Sequence, residues 1–133
     1  MTGTHRPQLW GVVNTTPDSF SDGGLFEDAE KALNHARALV AEGADVIDVG
    51  GESTRPGADR VSAHEELARV IPVVKALASE GTVVSIDTMR ASTARAALEA
   101  GAQIVNDVSG GLADEEMFAV VASANVDYVI MHW

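Results

Sequence analysis

The chain has 133 residues, with 20 Asp and Glu against 9 Lys and Arg, a formal net charge of -11 and no cysteine. Such a length holds one ordinary domain, and 46% hydrophobic with 22% charged residues supports a packed core rather than disorder. The missing cysteine excludes disulfide scaffolds, thiolate zinc sites and thiol nucleophiles, while the acidity argues against a general nucleic-acid or anionic-membrane binder, whose phosphate contacts need basic patches.

The first β-rich run is Leu9 to Asn14, followed by a loop from Thr15 to Gly24. Ala29, Ala32, Leu33, Ala36, Leu39 and Val40 then share one helix face, with Gly43 as a C-cap candidate. A second strand, Asp45 to Val49, leads into Gly50-Gly51 and a loop through Arg60. Ser62-Ala63-His64-Glu65 has the pattern of a capping box and opens a helix running to Gly81, which Pro72 is expected to kink or split. Strand Val83 to Asp87 precedes a helix from about Arg90 to Ala100, closed by Gly101. Strand Gln103 to Val108 precedes a fourth helix, with Asp114 as its cap and Met117, Val120, Val121 and Ala124 on one face. The last β-rich run is Asp127 to Trp133. The apolar runs are too short to span a bilayer, and Met1 to Trp10 lacks the apolar stretch of a signal peptide, so a soluble, cytoplasmic protein is expected.

Strands alternating with helices at this spacing read as parallel βαβ units, the α/β class. The near-continuous apolar pairs Val46-Ile47 and Ile104-Val105 agree with strands buried on both faces. A faint repeat aligns Gly43 to Val49 with Gly101 to Val108, so that Asp48 and Asn106 each stand five residues after a glycine, two βα units apart. In a (β/α)8 barrel, alternate strands feed one interior layer, and the repeat then places Asp48 and Asn106 at similar heights. A flavodoxin-like open sheet is the competing architecture; sequential strand order supports the barrel and 2-1-3-4-5 does not.

The strands begin apolar and end polar, at Asn14, Asp48, Asp87, Asn106-Asp107 and His132. Each such residue alone fits a strand end or helix cap, but together they point to a shared site at the C-terminal ends of parallel strands. The two long loops leave the same end. Phe20 is an aromatic that either anchors its own loop or covers a ligand. Gly50-Gly51 permits close backbone approach, and Thr54 with Arg55 offers a hydroxyl and a charged fork to an anion.

Four segments in order resemble the dihydropteroate synthase family of pterin-binding enzymes: Gly11-Val12-Val13-Asn14-Thr15-Thr16-Pro17-Asp18-Ser19-Phe20-Ser21-Asp22-Gly23-Gly24, Asp48-Val49-Gly50-Gly51-Glu52-Ser53-Thr54-Arg55-Pro56-Gly57, Ser85-Ile86-Asp87-Thr88 and Asn106-Asp107-Val108-Ser109-Gly110. The resemblance implies parallel (β/α) units of a TIM barrel, with residues 1–133 as the N-terminal part of one barrel domain, strands 1 to 5 and helices 1 to 4. It implies condensation of (7,8-dihydropterin-6-yl)methyl diphosphate with p-aminobenzoate, giving 7,8-dihydropteroate and pyrophosphate, on a sulfonamide target. Carried over by position, Asn14 resembles a Mg²⁺ ligand. Thr54, Asp87, Asn106, Val108 and Met131 match residues for the pterin diphosphate, and Phe20, Arg55 and Pro56 match p-aminobenzoate residues. Asp87 is assigned pterin recognition and stabilisation of cationic charge, with no nucleophilic role.

A TIM barrel needs about 250 residues, so the family's second half, with a further Asp, a Lys, an Arg and a His, is expected outside this chain. Little synthase activity and a tendency to self-associate are expected of the chain alone, and a homodimer of the full-length enzyme. A noncatalytic pterin-binding half that needs a partner chain and a corrinoid-linked pterin methyltransferase are the alternatives; the latter leaves the two loops unexplained. His5, His35 and His64 are expected at the surface, and His132 could line the site.

Overall fold

The computed structural model describes residues 7–15, 24–51, 61–124 and 126–130. Five parallel strands, β1 (Trp10–Asn14), β2 (Val46–Gly50), β3 (Val83–Asp87), β4 (Ile104–Asp107) and β5 (Asp127–Ile130), form one sheet in the order β1-β2-β3-β4-β5. Four helices connect them: α1 (Gly24–Ala41), α2 (Ala63–Ser79), α3 (Ala91–Ala100) and α4 (Met117–Ala124). Sequential order excludes the flavodoxin-like arrangement and is that of consecutive (β/α) units in a TIM barrel.

Register and the two-residue period of strands divide the sheet into two faces. Val13, Ile47, Val49, Val84, Ile86 and Val105 are fully buried and form the core with Val70, Val73, Val74 and Leu77 of α2 and with Ala91, Ala94 and Ala97 of α3. Val46 and Ile104 are also buried, as their apolar runs require. The opposite face carries Val12, Asn14, Asp48, Gly50, Ser85, Asp87 and Asn106 by register. It is this face that a closed barrel turns inward.

Helix boundaries follow local chemistry. Ser62 Oγ accepts from the Glu65 N–H at 3.1 Å, while the Glu65 carboxylate takes Arg69 Nη2 at 3.1 Å, so the capping box operates through its serine. Pro72 does not split α2, which runs unbroken through it. Proline removes the donor for the Ala68 carbonyl, but Pro72 lies on the exposed face, where water can serve instead. Gly101 ends α3 at a positive φ of 119°, and a Cβ there would lie 2.5 Å from Ala78 Cβ. That contact lets α2 and α3 pack closely.

Two side-chain expectations change. Val40 is 39% exposed, so the buried face of α1 is narrower than its apolar spacing, and Ala124 is exposed at the end of α4. Asp114 does more than precede α4. One oxygen accepts from the Ala91 N–H at 2.7 Å, the first residue of α3, and the other from the Glu116 N–H at 3.0 Å. These bonds, the α3 one first, hold its carboxyl below the usual carboxylate range. No helix among the described residues is long and apolar enough to cross a membrane.

Candidate functional site

Parallel pairing aligns Asn14 with Gly50, Gly50 with Asp87 and Asp87 with Asn106, one row across the C-terminal ends of β1 to β4. The ladder continues past the strands and pins this row. Thr15 donates from its N–H to Gly50 O at 2.7 Å, and Thr88 donates to Asn106 O at 3.2 Å. Gly50 keeps the row open by having no side chain. A Cβ there would sit 3.3 Å from both Asn14 Oδ1 and Asp87 Oδ2, so an amide oxygen and a carboxylate oxygen converge over the glycine.

Two residues N-terminal, a second row runs Val12, Asp48, Ser85 and Ile104. Asn106 Nδ2 reaches over β3 and donates to Asp48 Oδ2 at 3.1 Å. The similar height inferred from the sequence repeat is therefore observed as a contact. Asp48 is 4% and Ser85 0% exposed, and among the described residues Asp48 Oδ1, Ser85 Oγ and Asn106 Oδ1 make no hydrogen bond. Burial pushes the Asp48 carboxyl above its ordinary value. The nearby Ser85 hydroxyl and Asn106 amide partly offset that rise, although Ser85 Oγ lacks the geometry of a good hydrogen bond. Buried polar atoms without partners are costly, and three together make this the candidate ligand site.

The helix face holds a separate polar cluster. Glu66 of α2 is 0% exposed and accepts from Thr88 Oγ1 at 2.8 Å, Thr93 Oγ1 at 2.7 Å and Arg90 Nη1 at 3.0 Å. Arg90 Nη2 also donates to the Val61 carbonyl, and Arg69 Nη1 donates to the Gly51 carbonyl at 3.0 Å. The cluster thus joins the end of β3, the start of α3 and the backbone on either side of residues 52–60.

The structure separates the polar strand ends by sheet face. Asn14, Asp87 and Asn106 share one face. Asp107, fully buried on the other, accepts from Ser109 N at 2.9 Å, Ser109 Oγ at 2.7 Å, Gly111 N at 3.0 Å and Tyr128 Oη at 3.0 Å, and is a structural brace for the turn after β4. Val108 is half-buried in that turn. Phe20, Thr54, Arg55, Pro56, Met131 and His132 lie outside the described residues, as does His5, whereas His35 and His64 are exposed. Sequence reasoning placed Asp48 among the polar strand ends of a shared site without giving it a specific role, and it missed Glu66. Glu66 had a signal: it stands four residues before Val70, in phase with the apolar face of α2.

The donor set of the upper row suits a hard cation. Among the described residues no three His, Cys, Asp or Glu side chains are placed to hold a metal ion. Mg²⁺ asks for less, since it binds through one or two side-chain oxygens, usually carboxylate, and otherwise keeps water and substrate phosphates; the Asn14 amide oxygen is neutral but is a hard donor of the kind such a site uses.

Known proteins resemble the chain in sequence and in fold. The chain is 60% identical over 126 residues to the dihydropteroate synthase of Mycobacterium leprae, a match covering 95% of this chain and 44% of that protein. A dihydropteroate synthase from Xanthomonas albilineans solved with 4-aminobenzoic acid superposes with a TM-score of 0.87 at 48% identity, over 96% of this chain and 46% of that one. The dihydropteroate synthase of Anaplasma phagocytophilum with bound 6-hydroxymethylpterin-monophosphate gives 0.85 at 43% identity, over 94% and 48%. The chain therefore spans under half the length of these relatives. Residues 10–133 match the model of the pterin binding enzymes, and the chain belongs to that family.

Proposed function

We propose that this chain is the N-terminal part of a dihydropteroate synthase barrel and supplies the pterin-binding half of its active site. The observation that carries the reading is the row in which the Asp87 carboxylate and the Asn106 amide stand side by side above a buried acid, on the face that a barrel encloses. A pterin edge presents an amino group, a ring N–H and a carbonyl; a carboxylate accepts from the first two, and an amide complements either kind of group.

The reaction breaks the bond between the pterin methylene and the diphosphate oxygen. A C–N bond forms to the p-aminobenzoate amine, which gives up one proton, and pyrophosphate leaves. The aryl amine is neutral at pH 7, so leaving-group charge matters more than a base. Positive charge develops on the pterin side, and the Asp87 carboxylate beside it favours that state. Asn14 would hold Mg²⁺, which when bound supplies neutralisation of charge on the diphosphate. The family resemblance assigns Thr54 to the pterin diphosphate, Val108 and Met131 to the walls of the pterin pocket, and Phe20, Arg55 and Pro56 to the p-aminobenzoate side.

The test compares the chain alone with the chain co-expressed with the C-terminal remainder of the Mycobacterium leprae relative. Alone, the chain quenches 6-hydroxymethylpterin fluorescence on binding and forms no dihydropteroate. With the remainder present, dihydropteroate forms from the pterin diphosphate and p-aminobenzoate. Absence of pterin binding by both samples would sink the reading.

A further inference from the structure

The row Val12, Asp48, Ser85 and Ile104 is apolar at its two ends and polar between them. Nothing in sheet packing calls for an acid there. Burying a carboxylate costs more than burying an apolar side chain of similar size unless its oxygens are satisfied, and Asp48 has one unpartnered oxygen and one bond, from Asn106 Nδ2. Its retention therefore has to be sought in what that bond does.

An asparagine amide has two nearly isosteric ends, and its neighbours decide which end is oxygen. A carboxylate oxygen 3.1 Å away admits only the N–H₂ end, because the reversed amide would set two acceptors against each other. Asp48 thus spends one N–H of Asn106 and leaves the carbonyl Oδ1 without a partner among the described residues. The Asp87 carboxylate is the register neighbour of Asn106. The site is acceptor-rich by construction.

We propose that Asp48 is a positioning residue that sets the hydrogen-bonding polarity of this site, holding the Asn106 amide so that the site selects a heterocycle edge bearing N–H donors, as in a 2-amino-4-oxopyrimidine ring. This rests on the pterin reading above and assigns the discrimination to a residue that acts through Asn106.

The arrangement separates stability from recognition. A carboxyl whose value is raised in the fold adds stability that is complete below its ordinary 3.8 and lost as pH rises through the folded value, and above that value its ionised form is a liability. Asp48→Asn removes that liability while letting the amide at 106 take either orientation.

The experiment measures binding of 6-hydroxymethylpterin and of its 2-oxo counterpart, 6-hydroxymethyl-lumazine, to the wild-type chain, Asp48→Asn and Asp48→Ser, with Tm recorded for each. The wild type prefers the pterin, and both variants lower the pterin-to-lumazine affinity ratio by about tenfold or more, a binding difference of the size one lost polar contact makes. Asp48→Asn does so with Tm unchanged or raised. A ratio that stays at the wild-type value in variants that still bind the pterin overturns the proposal alone. A ratio that falls only in step with a loss of Tm also overturns it, because the residue is then part of the packing. A wild-type chain that binds neither compound overturns the pterin reading and the proposal with it.

Discussion

Glu66→Ala destabilises the protein by about 3–5 kcal/mol, the range for removing one partner of a buried, paired charge. For a chain of 133 residues that corresponds to a fall in Tm of about 10–20 °C. The size comes from what is left behind. Glu66 is completely buried and its two oxygens receive Thr88, Thr93 and Arg90, so truncation removes the acceptor of two buried hydroxyls and of one edge of the Arg90 guanidinium, which keeps its bond to the Val61 carbonyl. Glu66→Gln keeps the shape and one acceptor and costs less than half as much. Thermal and urea denaturation of the three proteins check this order. A loss under about 1 kcal/mol for the alanine variant would mean that the cluster re-pairs, and that it does not hold the strand end.

Asp87→Asn, in the chain completed by the C-terminal remainder, lowers kcat/KM for dihydropteroate formation by about 10²-fold or more, the scale of losing one electrostatic stabiliser of a transition state. Asparagine nearly preserves the shape of the side chain, and Asp87 stands at the half-exposed end of β3, so Tm should move by only a few degrees. What changes is charge and acceptor count. The variant no longer accepts two N–H groups of the pterin edge and no longer opposes the positive charge that grows as the diphosphate departs. The split between parameters is informative: a loss confined to KM makes Asp87 a recognition residue only, and an unchanged kcat/KM removes it from the site.

Much of this architecture is legible in the chain because the signals are local and mutually consistent. Alternating strand and helix periods give the parallel sheet; Gly43, Gly81 and Gly101, all with positive φ, mark helix ends; and the Gly43 and Gly101 repeat anticipates the Asp48 to Asn106 contact. The places where sequence misleads have physical causes. Asn106 and Asp107 are adjacent, but a strand turns successive side chains to opposite faces, so one belongs to the candidate site and the other braces a turn. Composition treats both as polar strand ends. Pro72 reads as a break because propensity rules carry no knowledge of exposure. Glu66 reads as a second first-turn acid beside Glu65, since its partners Thr88, Arg90 and Thr93 are brought to it only by the packing of α2 against β3 and α3.

The bond from Tyr128 to Asp107 has an optical consequence. Tyr128 is the sole tyrosine of the chain, it stacks edge-on against Phe118 at 5.4 Å, and burial followed by the Asp107 hydrogen bond raises its phenol above the ordinary 10.0. Ionisation of that ring changes near-ultraviolet absorbance, so an alkaline titration reports one event without interference from other phenols. While β5 stays seated against β4, the tyrosinate band is suppressed; release of that strand lets it appear. A spectrophotometer alone can therefore follow the attachment of the last strand, with no label added.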